Sequence, residues 1–436
     1  MSTPFAAQRT ARLPRPWIDG ALEAAGNALA RRRDVVRIVQ WIFVAIYLFL
    51  LLAPLLTPLA PAHAQWFPRL ATMAEALFWG IWWPAVLLSV MVFGQFWCGL
   101  FCPDGTLTEE ASRRGLALKI PAGMRHGALP LGLFAVLALI EQLSGARHSH
   151  AGTVLLLGTV SISAIATGFL YGRGKRVWCR YLCPTESIFS LLSRCAVLHF
   201  KVDRATWDAA PRPVPKPVDC PPLLDIRRLT SNEKCSMCGR CSGHRDAVKL
   251  SLRSPGHEIA LLRDDQARIW EAGGIVFVLV GLLYGLIYGA HGPWHDPIAT
   301  ALPSTWPGVI GDLMSTLAVA AALGGGVAAL LLAAARGRRA TACRLAYGLI
   351  PLAGVGLVLS ALEHSFDLLM RSGWLDDANT IFWVRAVLLL IAVPWSAWLG
   401  RLLLGESRQP RLTHLIYLGA ALLLASAYLL APVAPR

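Results

Sequence analysis

The chain has 436 residues, of which 55% are hydrophobic and 15% charged, against about 25% charged in soluble globular proteins. With a mean hydropathy of +0.52, this excludes an ordinary set of soluble domains. The net charge of +15 does not point to nucleic acid, because the Arg residues gather in alternate loops between apolar runs, the pattern that orients a membrane protein.

Nine apolar runs lie at about 38–59, 73–95, 127–144, 151–171, 270–290, 309–335, 343–365, 379–403 and 412–431. A helix needs roughly 20 such residues to cross a bilayer. An all-α polytopic membrane protein with about nine transmembrane helices is therefore expected. The runs divide the chain into a tail (1–37), a four-helix membrane unit (38–199), a polar segment (200–268) and a five-helix unit (269–436). Arg31, Arg32, Arg33 and Arg37 precede the first run; Arg113, Arg114, Lys119 and Arg125 follow the second; Arg336, Arg338 and Arg339 follow the sixth. The intervening loops hold few cations. This places the N-terminus in the cytoplasm and the C-terminus in the periplasm of a bacterial inner membrane, with lipid as the surrounding partner. Ala62-His63-Ala64 has a small-x-small form, but the run before it is too long for a signal h-region, so the first span reads as an anchor.

The cysteines carry the chemistry. Trp97-Cys98-Gly99-Leu100-Phe101-Cys102-Pro103 follows the second run, and Trp178-Cys179-Arg180-Tyr181-Leu182-Cys183-Pro184 follows the fourth. Each closes a helical hairpin, so two hairpins inserted alike bring both motifs to one membrane face. On a helix, cysteines four apart share a face. The Pro after each second cysteine disfavours helical geometry there. A reducing cytoplasm argues against structural disulfides and for metal ligation. Two thiolates are too few for an iron–sulfur cluster, and two motifs together supply four.

The polar segment holds Cys235-Ser236-Met237-Cys238-Gly239-Arg240-Cys241, with Cys220-Pro221 upstream. Three thiolates in seven residues suit one corner of a cubane, with Cys220 as remote fourth ligand and His244 as a rival. Zinc is the alternative metal, although its sites typically use separated C-x-x-C pairs. Cys195 and Cys343 are left over and read as packing residues.

Paired W-C-x-x-x-C-P hairpins followed by such a segment resemble the membrane polyferredoxins, among them the NapH-type, NosR-type and CcoG-type proteins. The resemblance covers about residues 36–268. It implies a small ferredoxin-like segment facing the cytoplasm and two 4Fe–4S clusters, one on Cys98, Cys102, Cys179 and Cys183, the other on Cys220, Cys235, Cys238 and Cys241. It also implies electron transfer between the quinone pool and a redox partner protein. Arg245 stands where the family run has its last cysteine, and the spans from about 309 onward match nothing in that pattern.

Glu363, His364 and Asp367 near the outer end of the seventh span, with Arg385 on the eighth, are candidates for a quinol and proton site, because ionisable groups within a membrane are costly and usually functional. A structural ion pair is the simpler account. His148, His150, His291 and His295 are solvated loop residues with an incomplete copper set, and no second axial histidine matches His364 for haem, so neither cofactor is expected. An electron carrier that oxidises quinol is one functional reading. An accessory factor for maturation of a respiratory metalloenzyme, such as copper oxidase assembly, is the other.

Overall fold

The structure is a computed structural model that describes residues 16–56, 70–146, 149–210, 217–289, 294–301, 308–371, 373, 378–405 and 410–431. Ala62-His63-Ala64, His148 and His291 lie outside the described residues. The fold is mostly helical. Among the described residues, eight helices are long and apolar enough to cross a membrane: 33–55, 70–93, 150–171, 269–288, 308–334, 350–370, 379–404 and 411–429. They make a multi-pass architecture. The third expected run, 127–144, is the 16-residue helix Leu129–Ser144, about 24 Å long at the usual rise, short of a hydrocarbon core of about 30 Å. Pro130 in its first turn and the positive φ of Gly145 set its bounds.

The chain divides into two compact units. The first comprises Met1–Pro58, Ser89–Phe134 and Thr153–Glu258. Its first membrane helix leaves Ile42, Ile46, Phe49 and Leu52 exposed, as a lipid-facing surface requires. The polar segment is not purely helical: β1 (Leu198–Val202) and β2 (Val248–Leu252) pair antiparallel, Leu198 opposite Leu252 and Val202 opposite Val248. Alternation turns Phe200, Val248 and Leu250 inward. They form a small core with Ile226, Met237, Cys235 and Cys241. The expected tail supplies its lid, because Leu22 of the helix Pro16–Arg31 packs against that core. Lys249 and Glu23 pair at 3.0 Å, and Ser242 and Asn27 meet at 2.9 Å.

The second unit comprises Leu59–Leu88, Ala135–Gly152 and Ile259–Arg436. A Cβ at Gly281 or Gly285 would lie 2.5 Å from the carbonyl of Ala320 or Thr316, so small residues let the helices Ile269–Tyr288 and Gly308–Ala334 approach closely. The run expected at 343–365 is two helices, Arg339–Gly348 and Ile350–Arg371, separated at Leu349. Pro351 sits in the first turn of the second helix, where its missing N–H is harmless.

Candidate metal centre

The two W-C-x-x-x-C-P motifs fold alike. Cys98 lies on the helix Phe96–Leu100, which ends at Phe101 (φ −128, ψ −16); Cys179 lies on Val177–Tyr181, which ends at Leu182 (φ −126, ψ −23). The N–H groups of Phe101 and Cys102 both donate to the Trp97 carbonyl, and those of Leu182 and Cys183 to the Trp178 carbonyl. A new helix then starts at Pro103 and at Pro184, with Cys102 (ψ 119) and Cys183 (ψ 117) extended as N-caps. The four-residue spacing therefore does not stack two cysteines on one helix face. The chain turns between them, because each Pro fixes the first position of a new helix and rejects helical geometry at the cysteine before it. Cys102 and Cys183 consequently sit at helix N-termini, where a thiolate is favoured. Cys102 Sγ accepts from the Gly105 N–H at 3.4 Å, and Cys183 Sγ lies 3.2 Å from Thr185 Oγ1.

The thiols fall into two groups. Cys98 lies within electrostatic reach of Cys102, Cys183 and Cys179. Cys220, Cys235, Cys238 and Cys241 line one cavity with Pro221 and Pro222. Cys195 is buried beside Glu258 and Arg253, and Cys343 belongs to the second unit. His244 packs against Trp207, ring centroids 5.0 Å apart and the planes tilted by 51°. Among the described residues, no three His, Cys, Asp or Glu side chains converge as ligands of a single ion. A cubane gives each thiolate its own iron and so takes four ligands spaced around it. The donor sets fit such a group.

Burial pushes Cys102 and Cys220 up to about 11 and Cys183 and Cys235 up to about 12. Burial and neighbouring thiols carry Cys98 and Cys179 well above the ordinary range. A cationic centre bound among them would favour the thiolates it needs as ligands.

Backbone contact joins the two groups. A Cβ at Gly99 would lie 2.1 Å from the Ser236 carbonyl oxygen and 2.9 Å from the Cys238 N and Cα. Beside this contact Gln40 Nε2 donates to the Gly99 carbonyl at 2.7 Å. Arg176 Nε donates to Glu109 at 2.8 Å, and Arg240 also donates to Glu109. Although burial opposes it, Arg176 and Arg240 hold the Glu109 carboxyl below its usual range. None of these polar residues stands out by spacing. The one sequence signal was the mismatch of Gly99 and Arg180 at the same place in the two repeats.

The candidates on the second unit come together in part. Arg385 Nη2 donates to Glu363 Oε1 at 2.6 Å, and Tyr288 Oη donates to the same oxygen at 3.2 Å. His364 Nε2 lies 3.3 Å from Glu75 Oε1. Asp367, one turn on from Glu363, is half-buried. His295 has both ring nitrogens beside carboxylates, Asp296 at 3.1 Å and Asp312 at 3.0 Å.

A family profile described as a 4Fe-4S binding domain matches residues 75–121 and 155–204. These two stretches hold both W-C-x-x-x-C-P motifs. The chain carries an iron–sulfur binding domain. An uncharacterized protein of Methanocaldococcus jannaschii is 26% identical over 165 residues, 36% of this chain and 63% of that protein. The chain thus matches just under two thirds of that relative's length. No solved structure matches.

Proposed function

We propose that the chain is a membrane-bound electron carrier with two 4Fe–4S clusters. Cys98, Cys102, Cys179 and Cys183 hold one, and Cys220, Cys235, Cys238 and Cys241 hold the other. The observation that supports this reading best is the backbone contact of Gly99 with Ser236 and Cys238, which sets two four-thiol groups side by side. A bound 4Fe–4S cluster supplies reversible one-electron storage. The protein positions the ligands, with Cys235 and Cys241 buried and the other six half-buried. Cys238 lines a cleft with Arg33, Arg37 and Trp41, and we assign this cleft to the redox partner protein. The quinone pool is the second partner in this reading. Glu363 and His364, with Asp367 and Arg385 beside them, serve as its proton-accepting site, supported by the buried polar contacts they make in the second unit.

Iron and acid-labile sulfide in anaerobically purified protein test the reading. About eight of each per chain are expected from two cubanes. About four would leave one group unfilled, and zinc in place of iron would end the redox reading.

A further inference from the structure

A chain of charges, with Arg176 and Glu109 buried and Arg240 half-buried, runs between the two groups of cysteines. Arg176 is 1% exposed and immediately precedes the helix that carries Cys179. Its Nη1 donates to the Cys98 carbonyl, and its backbone N–H donates to the Pro221 carbonyl, next to Cys220, at 2.9 Å. Its Nε donates to Glu109, whose other oxygen accepts from Arg240, between Cys238 and Cys241. One residue thus meets both groups: its guanidinium touches the first motif and reaches the C-x-x-C-x-x-C loop through a single carboxylate, and its backbone N–H holds the Cys220 turn. Taking charges out of water is costly before pairing offsets it. Neutral hydrogen bonds would tie the same loops together without that cost, so the charges themselves need a reason.

We propose that the Arg176–Glu109–Arg240 triad sets the reduction potentials of both clusters, with Arg176 as the element they share. The proposal rests on the two-cluster reading above. Four thiolates around a cubane give a net negative site, and reduction makes it more so. A cation fixed nearby stabilises the reduced form and raises the potential; a carboxylate lowers it. Net charge and hydrogen bonding are established determinants of cluster potential, and a low-dielectric interior lengthens their reach. Arg176 is felt at Cys179 in one group and at Cys238 in the other. Arg240 belongs to the second group alone. Arg113 lies 3.8 Å from Glu109, and Asp219 lies 3.7 Å from Arg240, both partly exposed and therefore screened.

Anaerobic redox titration of the full-length protein, followed by electron paramagnetic resonance with iron counted in parallel, tests this. Arg176→Met should move both midpoints to more negative values, and Arg176→Lys should hold them near wild type. Arg240→Met should lower chiefly the second, whereas Glu109→Gln should raise both. Opposite shifts from Arg176→Met and Glu109→Gln at unchanged iron content are what a purely structural tie would not produce. Shifts of the same sign, or none, in protein with full iron would overturn the proposal. If Arg176→Met loses iron, Glu109→Gln decides, since an unmoved midpoint there overturns it equally. Wild-type protein without cubane signals would instead end the two-cluster reading on which the triad's role depends.

Discussion

Gly99 and Ser236 meet backbone to backbone, with no room for a methyl group between them. The matching position of the second repeat is Arg180, whose carbonyl accepts from Lys234 Nζ at 3.1 Å. The repeats thus differ where the C-x-x-C-x-x-C loop docks, and only the first requires glycine. Gly99→Ala forces the loop away, and overpacking of this kind costs about 1–3 kcal/mol. We expect a lower unfolding temperature and loss of iron from the second group. Arg180→Ala, which keeps the carbonyl, should leave both near wild type. Thermal unfolding with iron analysis of the two variants checks this, and equal behaviour would refute the docking argument.

Shared ligation by the repeated motifs predicts non-additive losses. Cys102→Ala and Cys183→Ala should each remove about four irons, and the double variant should lose little more, because the two thiols serve one centre. Cys195→Ala and Cys343→Ala should leave iron content unchanged. Losses from the two N-cap cysteines that sum would separate the motifs.

The cysteine motifs were legible because local spacing encodes them. Pro after Cys, Trp before it and the repetition of both reach the eye without a fold. Glu109 and Arg176 form an ion pair across 67 positions, and nothing local to either residue announces it. The helix Pro16–Arg31 was hidden for a related reason. It is a short segment ending in three arginines, so it reads as a cytoplasmic tail, and only the core around Phe200 and Leu250 reveals what its Leu22 covers. The break at Leu349 is invisible in hydropathy, since apolar residues continue through it. The β1–β2 pair escaped because five-residue strands in a Pro-rich, charged segment give too few alternations to register.

The β1–β2 pair predicts an acid sensitivity from its other face. Burial, with Arg253 and His257 nearby, pushes His199 on β1 down to about 3. The unfolded chain, with a histidine near its ordinary 6.5, binds the proton more readily. Between those values the unfolded state therefore holds more protons, so stability is full above about pH 6.5 and falls as pH drops toward 3. One proton limits the slope to about 1.4 kcal/mol per pH unit. His199→Gln should flatten this dependence. Denaturant midpoints for both proteins between pH 7 and pH 5 measure it, and parallel curves would remove His199 as the source.

The pair between Arg385 and Glu363 separates two roles for the second unit. Arg385 is 2% exposed and its Nη1 also donates to the Ala431 carbonyl at 2.6 Å. Removing one partner of a buried pair leaves an uncompensated charge, at about 3–5 kcal/mol. Arg385→Met should therefore destabilise strongly, and adding Glu363→Leu should recover much of the loss, because both charges are then gone. That outcome follows from pairing alone. The proposed quinol site demands more, since quinol oxidation releases protons that a carboxylate or imidazole must accept. Glu363→Gln keeps the shape and the hydrogen bond from Tyr288 but costs stability, because Arg385 loses its counter-charge; His364→Ala removes the neighbouring base. Both variants should slow reduction of the protein by quinol while leaving reduction by dithionite and the iron content unchanged. If quinol reduction proceeds at the wild-type rate in both, the charges at this end of the second unit serve packing, and quinol meets the protein elsewhere.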